Sequence, residues 1–135
     1  MCNKVVFTAM SKKRYYLKGH VAKFVFDQGK IPLNPFLCYD YFLLDTVARD
    51  KIREANFELI NRCDELWVFG EISDGVLKEI FFAKEKRIPI KYFKIIDEPL
   101  EFIEISEKEV KYEPGALELL RRWKNASEKA KTSRS

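Results

Sequence analysis

The chain has 135 residues, of which 47% are hydrophobic and 34% charged, and its formal charge is +4. That length suits one domain with one core, and that composition excludes a disordered chain. No apolar run approaches the ~20 residues of a membrane-spanning helix. The mild basicity sits largely in "SKKRYYLK" and "RRWKNASEKAKTSRS", without the dense face of a nucleic-acid-binding domain.

The opening residues, MCNKVVFTAM, lack the apolar core and cleavage site of a signal peptide. Cys2, Cys38 and Cys63 are widely spaced and form no C-x-x-C pair. Free thiols in a reducing compartment explain them, with Cys38 and Cys63 packing helices, so the expected address is the cytoplasm. Neither metal-ligand spacing nor a Gly-rich phosphate loop occurs, and no metal or cofactor is expected.

In chain order, "KVVFTAM" (4–10) reads as a buried strand and Ser11 to Arg14 as a polar basic turn. "YYLKGHVAKFVFDQG" carries apolar residues at 17, 21, 24 and 25, which is helical spacing, and Gly29 suits the position just past its end. "KIPLNPF" is a short second strand stopped by Asn34-Pro35. Residues 39–63 form one long helical stretch, or two, with Val47, Ile52, Ala55, Leu59 and Ile60 near a 3.6 period. "ELWVFG" is apolar throughout, as a central strand covered on both faces must be. A helix starts near Asp74 or Gly75, with Val76, Ile80 and Ala83 on one side. "IPIKYFKI" is a fourth strand whose Pro89 marks an edge or a start, and "LEFIEI" a fifth. A last helix begins at Pro114, and residues 131–135 are expected to fray. Trp67 belongs in the core and Trp123 anchors the last helix. His20 stands alone in its helix, at the surface or partly packed.

Strand and helix alternate, so the expected fold class is α/β: a single three-layer (αβα) domain over 1–130 with a Rossmann/flavodoxin-like, mostly parallel sheet of about five strands. Ligands of such sheets bind beyond the carboxyl ends of the strands. That rule selects Thr8 to Arg14, Asn34 to Cys38 and Gly70 to Glu79. Within them Lys12, Lys13 and Arg14 can clamp a phosphate. Asn34 can bond a sugar, and Phe36 can stack on a base or pack in the core. The helix near Asp74 offers free N–H groups to an anion, with Ser73 or Asp74 as N-cap. Glu79 lies one turn inside, on the face of Gly75 and Val76, where the helix dipole favours its ionised form by roughly 0.3–1 kcal/mol.

The stretch "DELWVFGEISDGVLKEIFFAKEKRIPI" resembles the nucleoside 2-deoxyribosyltransferase-like superfamily. Its motif reads Ser73-Asp74-Gly75-Val76-Leu77-Lys78-Glu79, then Ala83, then Ile88-Pro89-Ile90, and the likeness extends over about residues 4–93. The resemblance implies that Glu79 attacks the anomeric carbon of a nucleoside or nucleotide and that Ser73 contacts a 5′-phosphate. It also places Thr8, Ser11 and Lys12 in a sugar-binding loop, although Ala9-Met10-Ser11 stands where a glycine is usual. Asn56 occupies the place of an Asp that orients the ribose or protonates the leaving base, and it can hydrogen-bond but not supply a proton.

The expected function is therefore cleavage of an N-glycosidic bond, by hydrolysis or deoxyribosyl transfer. Glu79 and Asn56 are the catalytic candidates, and Thr8, Ser11, Lys12, Asn34, Phe36, Ser73, Asp74, Gly75 and Val76 bind a nucleoside or nucleotide. Two alternatives are a non-catalytic sensor of a nucleotide-derived ligand and a structural protein in which Glu79 is a surface charge. No nucleic acid or membrane partner is expected. The resemblance implies a homodimer or higher homo-oligomer, for which the aromatic stretch Tyr39 to Leu44 is the candidate contact.

Overall fold

The computed structural model describes residues 4–39 and 41–132, with side chains at 41 and 127–132 left aside. Among the described residues, five strands form one sheet: β1 (Val5–Met10), β2 (Ile31–Leu33), β3 (Glu65–Phe69), β4 (Ile90–Asp97) and β5 (Leu100–Ile105). The α-helices among the same residues are α1 (Lys18–Asp27), α2 (Pro35–Cys38), α3 (Tyr41–Thr46), α4 (Arg49–Asn61), α5 (Asp74–Glu85) and α6 (Pro114–Thr132). Short 3₁₀ turns occupy Lys12–Leu17 and Glu107–Glu109.

The strand order is β2-β1-β3-β4-β5. The first four strands are mutually parallel, and β5 returns antiparallel to β4. The path leaves β1 toward β2, then crosses back to β3 on the other side of β1. The carboxyl ends of β1 and β3 therefore flank the point where the winding reverses, the place where open α/β sheets keep a crevice.

Alternation along the strands sorts the core in two. Phe7, Ala9, Leu66, Val68 and Tyr92 pack with Ile60 of α4, Val76, Leu77, Ile80 and Ala83 of α5, and Ala116 of α6. Val6, Met10, Trp67, Phe69 and Phe93 pack with Leu17 and with Val21 and Val25 of α1. Phe24 of α1 sets its ring edge-on against Phe69, Phe93 and Phe102, with centroids 6.0, 5.3 and 5.4 Å away. Each strand of this kind must be apolar on both sides, which is why "ELWVF" shows no polar alternation. At the opposite end of the sheet, Asp64 Oδ2 accepts from the Val5 N–H at 2.8 Å and fixes where β1 begins.

Several local expectations change. The basic turn after β1 is a 3₁₀ helix capped by Ser11, and α1 starts only at Lys18. The second strand does stop before Asn34-Pro35, as expected: it ends at Leu33, and Asn34 caps α2 through its Oδ1, which accepts from the Phe36 N–H at 2.8 Å. Of the two alternatives for the long helical stretch, two helices is the one found: α3 and α4, with Val47 and Ala48 between them. Pro89 precedes β4, which β5 covers, so it marks a strand start and not an edge. Helix α6 runs through Thr132, into the tail expected to fray, and residues 133–135 lie outside the described ones. Cys63 is buried, whereas Cys38 is exposed at the end of α2 and packs no helix. Cys2 lies outside the described residues. Among the described residues, no helix is long and apolar enough to cross a membrane.

Candidate functional site

The candidate cavity opens at the winding reversal and holds about 360 Å³, the lower range of small-molecule sites. Met10 and Ser11 at the end of β1 form one wall, with Lys12 and Lys13 beside them. Ser73, Asp74, Gly75, Val76 and Glu79 form another. Arg49, Ile52, Arg53 and Asn56 descend one face of α4, at the spacing that brings residues i, i+3, i+4 and i+7 into line. Pro35, Phe36, Tyr39 and Leu44 close the apolar side, and Glu113 completes the rim.

The start of α5 is built as an anion-facing terminus. Ser73 is the N-cap, and its hydroxyl oxygen accepts from the Val76 N–H at 3.2 Å. The Leu77 N–H is used by the Ser73 carbonyl. The amides of Asp74 and Gly75 keep no acceptor among the described residues and make up the positive end of the helix dipole. A Cβ on Gly75 would meet nothing within 4 Å, so glycine leaves open space there instead of relieving a clash.

Glu79 is buried, at 9% exposure, so it is no surface charge. Its Oε2 has no hydrogen-bond partner among the described residues. Burial pushes its pKa up to about 8, against a smaller opposing pull from the Arg53 guanidinium. The expected effect of the helix dipole, an ionised carboxylate, is thus outweighed by desolvation, which disfavours the charged form of a buried acid by far more than a dipole at an exposed site restores. Asn56 Oδ1 is a second buried oxygen without a partner. Two unsatisfied oxygens on facing helices, both beside one cavity, are unusual in a native interior and are what a site for a hydrogen-bonding ligand requires.

The charges around these oxygens are mostly positive. Arg49 and Arg53 make no ion pair among the described residues, and neither does Lys12. Arg49 is the first residue of α4, where a cation opposes the helix dipole and gains nothing for the helix. Burial raises the pKa of Tyr39, which keeps its phenol neutral and able to donate.

Of the residues expected from the sequence, the fold gathers Ser11, Lys12, Phe36, Asn56, Ser73, Asp74, Gly75, Val76 and Glu79 around this cavity. It does not bring Thr8 or Asn34 to the wall. Thr8 is buried in β1 between Val6 and Met10, its Oγ1 unpartnered. Asn34 is also buried, capping α2 with its oxygen and touching Met10 Sδ with its amide at 3.5 Å. Phe36 packs against the α1 side of the core, as one of its two expected roles requires, and it also lines the cavity.

Arg14 does not join the phosphate clamp. Its guanidinium turns to Asp97 at 2.7 Å and to both oxygens of Glu71 at 3.4 Å, and donates to Tyr16 Oη at 3.0 Å. Gly70, at φ +79°, lets the chain turn directly above it, where a Cβ would sit 2.8 Å from Ile95 Cδ1. Arg49, Arg53 and Glu113 were not expected. The arginines follow from stepping back from Asn56 at helical spacing; no comparable signal marks Glu113. His20 is exposed, on the far side of α1 in a shallow groove with Phe24 and Phe102. Among the described residues no three His, Cys, Asp or Glu side chains gather as a metal site.

Fold and cavity define the class: an α/β protein with a mostly parallel sheet and a ligand-sized crevice at its winding reversal. A family model described as Domain of unknown function (DUF7768) matches residues 7–93, more than half of the chain, and the chain belongs to that family. No curated protein matches it. The match takes in both residues whose unpartnered oxygens lie beside the cavity, Asn56 and Glu79, and ends within β4.

Proposed function

We propose that the protein cleaves the N-glycosidic bond of a nucleoside or nucleotide, with Glu79 as nucleophile and the cavity as its binding site. The observation that carries this reading is the buried Glu79 carboxyl with its unpartnered Oε2 beside the unpartnered Asn56 oxygen. Glu79 attacks C1′, the bond to the base breaks, and water or a second base then displaces Glu79 from the sugar. Asn56 orients the sugar hydroxyls. Phe36 and Tyr39 offer faces to the base, while Lys12, Arg53 and the first amides of α5 meet a phosphate. The motif Ser73-Asp74-Gly75 to Glu79 supports kinship with the nucleoside 2-deoxyribosyltransferase-like superfamily. The strand order and the two-sided core support a three-layer, flavodoxin-like architecture. Leu37, Phe42 and Leu43 are exposed near the cavity, and we assign them to contact with a second copy. A monomer at high concentration in sedimentation equilibrium would remove that assignment.

The test is base release from a panel of ribo- and deoxyribonucleosides and their 5′-monophosphates, read by chromatography. Glu79→Gln is expected to lose at least ~10³-fold in kcat/KM, as removal of a nucleophile does. A nucleophile must be ionised, so kcat/KM of the native protein rises with pH until it passes about 8. A profile that instead falls through that region would make Glu79 a proton donor and overturn its assigned role.

A second reading, a non-catalytic sensor of a nucleotide-derived ligand, is favoured by one observation. Asn56 cannot protonate a leaving base, and Glu79, carrying its own proton near neutral pH, is a poor nucleophile there. It predicts saturable thermal stabilisation by one panel member with no base released at any pH.

A further inference from the structure

Three carboxylates line the cavity: Asp74, Glu79 and Glu113. Asp74 and Glu79 lie within the family-matched residues, and Glu113 lies beyond them. It arrives there by a specific backbone route. Ile72, fully buried, pairs with Tyr112 as an isolated parallel bridge. The Ile72 N–H donates to the Lys111 carbonyl at 2.9 Å, and the Glu113 N–H donates to the Ile72 carbonyl at 2.8 Å. The Glu113 carbonyl in turn accepts from the N–H groups of Ala116 and Leu117, both at 3.0 Å, and so starts α6. Its backbone is held on both sides, one residue away from the loop that carries Ser73.

The Glu113 carboxylate is spent on neither end of this arrangement. Its partner is Lys13, with Oε1 3.7 Å from Nζ. The Glu113 side chain is 19% exposed and that of Lys13 75%. The glutamate is therefore the fixed partner and the lysine the mobile one. Lys13 is also the only one of the four cavity cations that makes an ion pair among the described residues.

We propose that Glu113 is a specificity residue of this cavity: it holds Lys13 at the rim and adds its own negative charge, so that phosphorylated ligands are disfavoured relative to neutral ones. This rests on the cavity being a ligand site of the kind described above, but not on any bond being broken there. A phosphate entering the cavity meets Lys12, Arg49 and Arg53 as free cations, and has to compete with a carboxylate for the fourth. Without that carboxylate Lys13 can swing to the anion, and a like charge near the phosphate is gone. A neutral nucleoside has no charge to feel either change. The chain would thus carry a phosphate-compatible cavity whose preference is set from outside the family-matched segment.

The experiment is titration calorimetry on the native chain, Glu113→Gln, Lys13→Ala and the double variant. The probes are inorganic phosphate and matched pairs of nucleoside and nucleoside 5′-monophosphate. Glu113→Gln is expected to tighten inorganic phosphate and the monophosphates by about three- to tenfold, the scale of one partly exposed charge interaction. The neutral nucleosides should shift by less than about twofold, and the gain should shrink, to the part owed to the lost negative charge alone, when Lys13→Ala is combined with it. Four results would overturn the proposal: unchanged or weaker phosphate binding in Glu113→Gln, an equal gain for neutral ligands, a gain undiminished by Lys13→Ala, or no phosphate binding by any of the four proteins. Because the readout is affinity and not turnover, a failure of glycosidic cleavage leaves this result intact, and the reverse holds as well.

Discussion

Glu79 makes the protein's stability depend on pH in a direction opposite to that of most carboxylates. Its folded-state pKa lies near 8, above the ordinary value of 4.5, because burial penalises the ionised form. Between those two values the folded state holds more protons than the unfolded one, so stability is greatest below pH 4.5 with respect to this group. It declines as pH rises and is fully lost above about 8. The loss is on the order of a few kcal/mol. Glu79→Gln keeps the shape and removes the titration. Thermal melts at pH 5 and pH 9 should show the variant gaining on the native protein as pH rises; parallel melting curves across that range would mean that Glu79 is solvated in solution. Cys63 shows the same physics without a role in the site. Burial pushes its thiol up to about 11, which keeps it protonated and inert.

At the scale of elements, Arg14 holds together three segments that the chain separates widely: the 3₁₀ turn after β1, the loop between β3 and α5, and the end of β4. Its guanidinium is largely covered, whereas the Glu71 side chain is 44% and that of Asp97 62% exposed, so the pairs are partly screened. Arg14→Ala should cost about 1–2 kcal/mol, less than removal of a fully buried ion pair. The expected sign is a lower urea midpoint with an unchanged slope, and Arg14→Lys should recover only part of it, lacking the planar fork. A midpoint equal to that of the native chain would show that the network contributes nothing.

The same network shows where the sequence is readable and where it is not. The strands are legible because each is an unbroken apolar run, and the start of α5 because Ser73 and Gly75 carry recognisable capping and spacing chemistry. Lys12, Lys13 and Arg14 look alike in sequence. Only the distant Glu71 and Asp97 decide that the third turns away from the cavity while the first two line it. The break between α3 and α4 falls at Val47-Ala48, with neither glycine nor proline to announce it. Glu113 depends on the pairing of Ile72 with Tyr112, a contact across forty positions that no local pattern encodes.

At the scale of the molecule, the family-matched residues 7–93 are not a closed structural unit. They omit Val5 and Val6 from β1, end before β4 does, and leave out β5 and α6 altogether. Without β5 the edge of β4 is bare. Without α6, Ala116 is lost from the core cluster that it shares with Ile72 and Val76, and so is the stacking of Trp123 on Phe81, with centroids 5.0 Å apart. A fragment of residues 7–93 should therefore fail to melt cooperatively, whereas the chain to residue 132 should do so. Circular dichroism during heating checks this, and a sigmoidal transition in the fragment would show that the C-terminal elements are appended to an independent fold.

The two tryptophans are placed as if to report on these parts separately. Trp67 lies in the central strand at 2% exposure, among Phe24 and Phe93, with its Nε1–H donating to Glu65 at 3.2 Å. Trp123 lies half-exposed on α6, against a single ring. The first should emit at short wavelength and respond little to a soluble quencher; the second should emit further to the red and be quenched readily. Undocking of α6 would then change the red component while leaving the blue one intact, and fluorescence alone would distinguish the release of the helix that begins at Pro114 from the collapse of the sheet beneath it.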